Sequence, residues 1–91
     1  MKYLPSLKQL EYLVALAETQ HFGKASQRCN VTHSTLSAGI KDLESVLGIS
    51  LAERTKRKVT MEPLGIEIAE RATLLLRDAE DIMELAATHR E

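Results

Sequence analysis

Ile68, Ala72, Leu75, Ala79, Ile82 and Ala86 recur at spacings of 4, 3, 4, 3 and 4 along the last third of the chain, the heptad rhythm of a helix that lays one apolar seam against a partner. Glu62 and Pro63 open this helix, with proline at the first helical position and acidic residues expected to enrich the first turns. Carried to about residue 89, a helix of about 27 residues is roughly 40 Å long. A chain of 91 residues holds one domain at most. A rod of that length protrudes from so small a globule, so its seam needs a cover. A second copy of the same helix is the economical one, and packing on the chain's own domain is the alternative.

The globule beneath the rod must be helical as well. Hydrophobic residues make up 44% of the chain, yet there is one Phe, two Tyr and no Trp, so Leu, Ile, Val and Ala build the core. Pro5-Ser6 followed by Gln9 is a capping-box start, and Leu7, Leu10, Leu13, Val14 and Ala17 then form an apolar stripe over a first helix from about 6 to 19. A second, short helix begins near Gly23, turns Ala25 and Cys29 inward and stops at Asn30 in a left-handed conformation. Thr32 caps a third helix that runs to Gly48, with Val31 and Leu36 placed as a hydrophobic staple and Leu36, Ile40, Leu43 and Leu47 buried. After Gly48 two short stretches, roughly 51–54 and 58–61, make a hairpin with a basic tip.

Several function classes fall away at this point. No signal peptide and no run of eighteen apolar residues occurs, which predicts a cytoplasmic, membrane-free protein. The single cysteine and the scattered His21, His33 and His89 lack zinc-ligand spacing, so no metal or cofactor is expected. Cys29 and His33 could be read as nucleophile and base. The Asn30-Val31 break puts them on different helices without an acidic group to orient them, so the expectation is no enzyme, with Cys29 a small buried hydrophobe.

Charge is distributed unevenly along the sequence. Residues 24–58 carry seven basic groups against three acidic, whereas residues 59–91 carry three against eight. The basic middle suits a polyanion. The face of the third helix opposite its buried stripe is Ser34, Ala38, Lys41 and Ser45, flanked by His33 and Ser37. Such short side chains let a helix backbone approach a surface closely, as a helix in a DNA major groove must, and the first turn presents unpaired N–H groups to phosphate. Arg54, Lys56, Arg57 and Lys58 would repel one another in isolation, and a phosphate backbone relieves that. A basic hairpin directly after a helix-turn-helix can act as a wing on the neighbouring minor groove.

These residues resemble the winged helix-turn-helix of LysR-type bacterial transcriptional regulators, and within that family the peroxide-sensing OxyR subgroup. The resemblance is carried by V-[ST]-x-x-[ST]-L-S at 31–37, the I-x-x-LE-x-x-LG frame ending at Gly48 and E-R-x-x-[KR] entering the wing, in order and over nearly the whole chain. It implies that Thr32 opens the recognition helix, that Thr35 and Ser37 lie at the groove surface and that Arg57 enters a minor groove. His33 stands where Gln is common, Ser34 where Pro is common, and Ala38 where some members carry a long side chain. These departures bear on which bases are read. The last helix would be the family's linker helix, paired antiparallel between two copies. Family members continue into a two-lobed effector domain absent from these residues, so the chain is expected to be either a fragment or a short relative, with effector sensing and higher oligomers left to that domain.

The expectation is therefore a mainly α winged helix-turn-helix, three helices plus a short β-hairpin wing in residues 1–61, followed by a dimerising linker helix in 62–91. Its partner is double-stranded operator DNA, met by Thr32, His33, Ser34, Thr35, Ser37, Ala38, Lys41, Arg54, Arg57 and Lys58. The dimer seam is Ile68, Ala72, Leu75, Ala79, Ile82 and Ala86. The alternative is a helical interaction module that binds no nucleic acid.

Overall fold

The computed structural model describes residues 3–55 and 58–90, in the order α1 (Leu7–Thr19), α2 (Phe22–Cys29), α3 (His33–Leu47), β1 (Ala52–Arg54), β2 (Val59–Met61) and α4 (Pro63–Ala87). Lys56 and Arg57, both expected in the wing, lie outside the described residues.

Local hydrogen bonding sets most of the boundaries. Ser6 Oγ accepts the Gln9 N–H at 3.1 Å while Gln9 Oε1 accepts the Ser6 N–H at 3.0 Å, completing the expected capping box. Asn30 ends α2 at φ 61°, Thr32 Oγ1 caps α3 by accepting the Thr35 N–H at 3.1 Å, and Gly48 ends α3 at φ 71°. The start of α2 differs from expectation. His21 Nδ1 accepts the Lys24 N–H at 3.0 Å, so the helix begins at Phe22 rather than near Gly23.

The core is aliphatic, with Leu13, Leu16, Leu36, Ile40, Leu43 and Leu51 fully buried. The stripe predicted on α1 is only partly right. Leu10 and Leu13 are buried, but Tyr12, Ala15 and Leu16 join them, Val14 and Ala17 are half-buried, and Leu7 is 50% exposed. Because α1 packs against α2, α3 and α4, its buried arc is wider than one stripe. On α3, Leu36, Ile40 and Leu43 are buried as expected and Leu47 is half-buried.

The two strands pair antiparallel, with Ala52 opposite Met61, Glu53 opposite Thr60 and Arg54 opposite Val59. Each is one residue shorter than the predicted 51–54 and 58–61, β2 because Lys58 is bonded to Thr55 in the turn and β1 because Leu51 is occupied elsewhere. Its N–H donates to Glu44 Oε2 at 2.8 Å, and its carbonyl accepts the Glu62 N–H at 2.9 Å. One buried leucine thus ties the end of α3, the hairpin and the start of α4 together.

Two glycines permit this packing. A Cβ on Gly39 would stand 2.5 Å from Cδ2 of Tyr12, and one on Gly65 would run into the Leu51 carbonyl. Both mark places where another part of the chain crosses a helix backbone at close range.

The last helix spans 25 residues and ends at Ala87, two short of expectation, with no acidic residue in its first turn. Its inner half belongs to the core. Ala69 and Ala72 are 6% and 3% exposed, Gly65 is buried and Ile68 packs half-buried. Of the six seam residues, Ile68 and Ala72 are therefore engaged within the chain. Farther along, Leu75 is 49% and Ile82 68% exposed, Ala86 is exposed, and Ala79 is half-buried beside Leu7, Leu76 and Met83. The outer turns carry the molecule to extents of 51 × 31 × 20 Å.

Cys29 is half-buried, its Sγ 3.9 Å from the Glu11 carbonyl oxygen to which it donates. Burial pushes the thiol above its ordinary range, and the Glu11 carboxylate adds to this against the opposing pull of Arg28 and Lys8. The neutral thiol is the favoured form, so Cys29 favours folding below the ordinary thiol range and loses that contribution as pH rises through its elevated value. Iodoacetamide at pH 8 should label the native protein several-fold more slowly than the urea-unfolded chain, because the thiolate is the nucleophile. Equal rates would contradict the burial of this thiol.

Candidate nucleic-acid interface

The first two turns of α3 form an exposed, finely textured surface. Thr32, His33, Ser34, Thr35, Ala38 and Lys41 are exposed and Ser37 is half-buried. Thr32 Oγ1 donates to Thr35 Oγ1 at 2.9 Å while accepting the Thr35 N–H, so both threonine hydroxyls are fixed at the cap. Ser34, Ala38 and Lys41 share one side, where small side chains precede a single long cation.

The wing stands beside this surface. Thr55 N–H donates to the Lys58 carbonyl at 2.9 Å, and Lys58 N–H donates to Thr55 Oγ1 at 3.1 Å, which closes the turn that carries the tip. Gln20, His21, Phe22, Gly23, His33, Arg54, Thr55, Lys58 and Val59 line one cleft, which brings the start of α2, the start of α3 and the wing into a common wall.

Phe22 is the center of that wall and was not singled out from the sequence. The His33 ring lies 5.5 Å from it at a 48° tilt, and the Arg54 guanidinium carbon sits 4.5 Å above its centroid. Arg54 Nη1 also donates to Ser37 Oγ at 2.9 Å. Ser37 and Arg54 were both expected to face DNA, and here they bond each other. The reason lies in the hairpin register. Alternation puts Arg54 on the same face as the buried Ala52, whereas Glu53 and Thr60 point away. The sequence reading grouped Arg54 with the basic tip by proximity, but the strand's two-residue period separates it.

Of the expected contact residues, the structure thus gathers Thr32, His33, Ser34, Thr35, Ser37, Ala38, Arg54 and Lys58 around the start of α3, with Lys41 two turns further along the helix. His21, which caps α2 at the rim of the same cleft, was missed because Ser, Thr, Asp and Asn are the usual cap signals.

The family profile described as bacterial regulatory helix-turn-helix protein, lysR family, matches residues 7–65, most of the chain. The chain belongs to the LysR family. This LysR-family domain is 52% identical over 86 residues to the HTH-type transcriptional regulator EstR of Acinetobacter baylyi, covering 94% of the chain and 29% of EstR. It superimposes with a TM-score of 0.91 and 43% identity on a full-length OxyR variant from Pseudomonas aeruginosa, covering 94% of the chain and 29% of OxyR. A DNA complex of the BenM DNA-binding domain with catB site 1 matches at a TM-score of 0.85 and 34% identity, over 91% of this chain and 92% of that one. The LysR-family domain therefore spans less than a third of EstR and almost all of the BenM domain. Fold and family together make it a winged helix-turn-helix DNA-binding domain of a transcriptional regulator. Among the described residues no helix is long and apolar enough to cross a membrane.

Proposed function

We propose that the domain binds double-stranded DNA sequence-specifically as a homodimer, with α3 in the major groove and the wing over the adjoining minor groove and phosphates. The observation that carries this reading is the exposed start of α3, small-sided from Thr32 to Ala38 and flanked by the wing. Thr32, Thr35 and the first-turn N–H groups suit phosphate, His33, Ser34 and Ala38 suit base edges, Lys41 and Lys58 suit backbone oxygens, and Arg57 suits the minor groove. Residues 1–61 read DNA and residues 62–91 pair the copies, through the exposed Leu75, Ile82 and Ala86 together with Ala79. The reading assigns no catalytic step and no cofactor, and it places the protein in the bacterial cytoplasm with the nucleoid.

Selection of bound duplexes from a random library tests the reading directly: a recurrent sequence with two half-sites is expected. Affinity for the selected duplex should fall linearly with the logarithm of salt concentration, and Lys58→Ala should make that slope shallower by about one unit. A chain that recovers no sequence and shows no salt-dependent duplex binding would instead be a helical interaction module using the apolar outer turns of α4.

A further inference from the structure

We propose that Arg54 is a positioning residue that fixes the wing to the recognition helix rather than a contact to DNA phosphate. The inference rests on the DNA-binding reading above and concerns how that site is held together.

Three elements meet at this one guanidinium. Arg54 is the last residue of β1, Phe22 the first of α2, and Ser37 lies in the second turn of α3. The guanidinium lies 4.5 Å over the Phe22 ring, and one of its N–H groups reaches Ser37 Oγ at 2.9 Å. Arginine suits this position because its flat, delocalised cation can stack on an aromatic face while its fork donates in plane. Lysine has a compact ammonium and cannot do both. Phe22 is itself anchored, nearly buried, and α2 behind it is capped by His21. The ring is therefore a fixed platform. A two-stranded hairpin is marginal without outside support, and the Thr55–Lys58 bonds close only its turn. The buried Leu51, Ala52, Val59 and Met61 support the base of the hairpin, and the Arg54 bridge supports its far end and sets how far the wing stands from the groove face of α3.

The proposal separates two substitutions that a direct phosphate contact would rank differently. Arg54→Lys keeps the charge, and Arg54→Gln removes it. If Arg54 positions the wing, both variants lose the bridge, so both should bind a random-sequence duplex more weakly by a similar factor, about three- to ten-fold, with a shallower salt slope as the wing cations lose register. Retention of parent affinity and slope by Arg54→Lys, with Arg54→Gln alone losing about one unit of slope, would overturn the proposal in favour of a phosphate contact.

A second measurement needs no DNA. In the free protein, amide exchange at Thr55 and Lys58 should accelerate in both variants while exchange in α1 stays at the parent rate, and Ser37→Ala should couple to Arg54→Gln by about two-fold or more in the folding equilibrium. Unchanged exchange together with additive effects would overturn the bridge. If the parent bound no duplex at all, the DNA reading would fail while these free-protein results still decided the bridge.

Discussion

Leu75→Asp should convert the protein to a monomer in sedimentation or light scattering while leaving its helical signal intact. Leu75 is 49% exposed within one chain, so an aspartate there meets water in the monomer and disturbs little of the core. In a pair of copies joined along the outer turns of α4 the same carboxylate would be buried without a partner, at a cost on the order of several kcal/mol for each copy. The effect on DNA should be larger still. Two linked recognition helices gain roughly 10²- to 10⁴-fold over one through effective concentration, and that gain disappears with the dimer. Affinity for a two-half-site duplex should collapse, whereas affinity for a single half-site should hardly change. A variant that remains dimeric, or a parent that is monomeric at micromolar concentration, would remove α4 as the pairing element.

Gly65→Ala is expected to be the most damaging single-methyl change. A helix interior ordinarily gains about 0.5–1 kcal/mol when glycine becomes alanine. At this position the new Cβ meets the Leu51 carbonyl, a backbone group held by the Glu62 N–H and continuous with the fully buried Leu51 side chain. Neither α4 nor the Leu51 backbone can move without disturbing the other, so an overpacking penalty of about 1–3 kcal/mol or more outweighs the helical gain. Gly39→Ala makes the instructive comparison. Its Cβ meets the edge of the Tyr12 ring, a side chain that can shift, so the loss should be smaller. Each net kcal/mol corresponds to about 4–8 °C in melting temperature for a domain of this size. Melting curves should therefore rank parent, Gly39→Ala and Gly65→Ala in descending order, and a Gly65→Ala protein as stable as the parent would show that the crossing is loose.

What could be read from the sequence follows the range of the interactions involved. The Ser6–Gln9 box, the left-handed stop at Asn30, the Thr32 cap and the Gly48 terminus each depend on residues within one turn, and all are where the sequence places them. The features it missed depend on elements far apart in the chain. Heptad spacing shows that α4 is apolar along one side but not which neighbour each turn meets, so it merged Ala72, buried against the chain's own core, with Leu75, half open to solvent. On α1 a single stripe was expected where three helices supply partners, which is how Tyr12, Ala15 and Leu16 escaped notice. At the candidate site the residue types on α3 were legible, yet the Phe22–Arg54–Ser37 arrangement was not, because it joins positions 22, 37 and 54 through tertiary packing alone. His21 was opaque for a chemical reason, since an imidazole acting as a cap acceptor resembles any other surface histidine in sequence.

The burial of Gly65, Ala69 and Ala72 has a mechanical consequence. The same unbroken helix is core at one end and exposed shaft at the other, with no loop or proline between Gly65 and Ala87 to act as a joint. A torque applied to the turns around Ile82 therefore cannot dissipate before it reaches the globule. It arrives at α1, which packs against α4 and α3 alike, so the shaft and α3 share one neighbour. The shaft works as a crank, and the separation and pitch of two such heads would be governed by how their cranks are clasped.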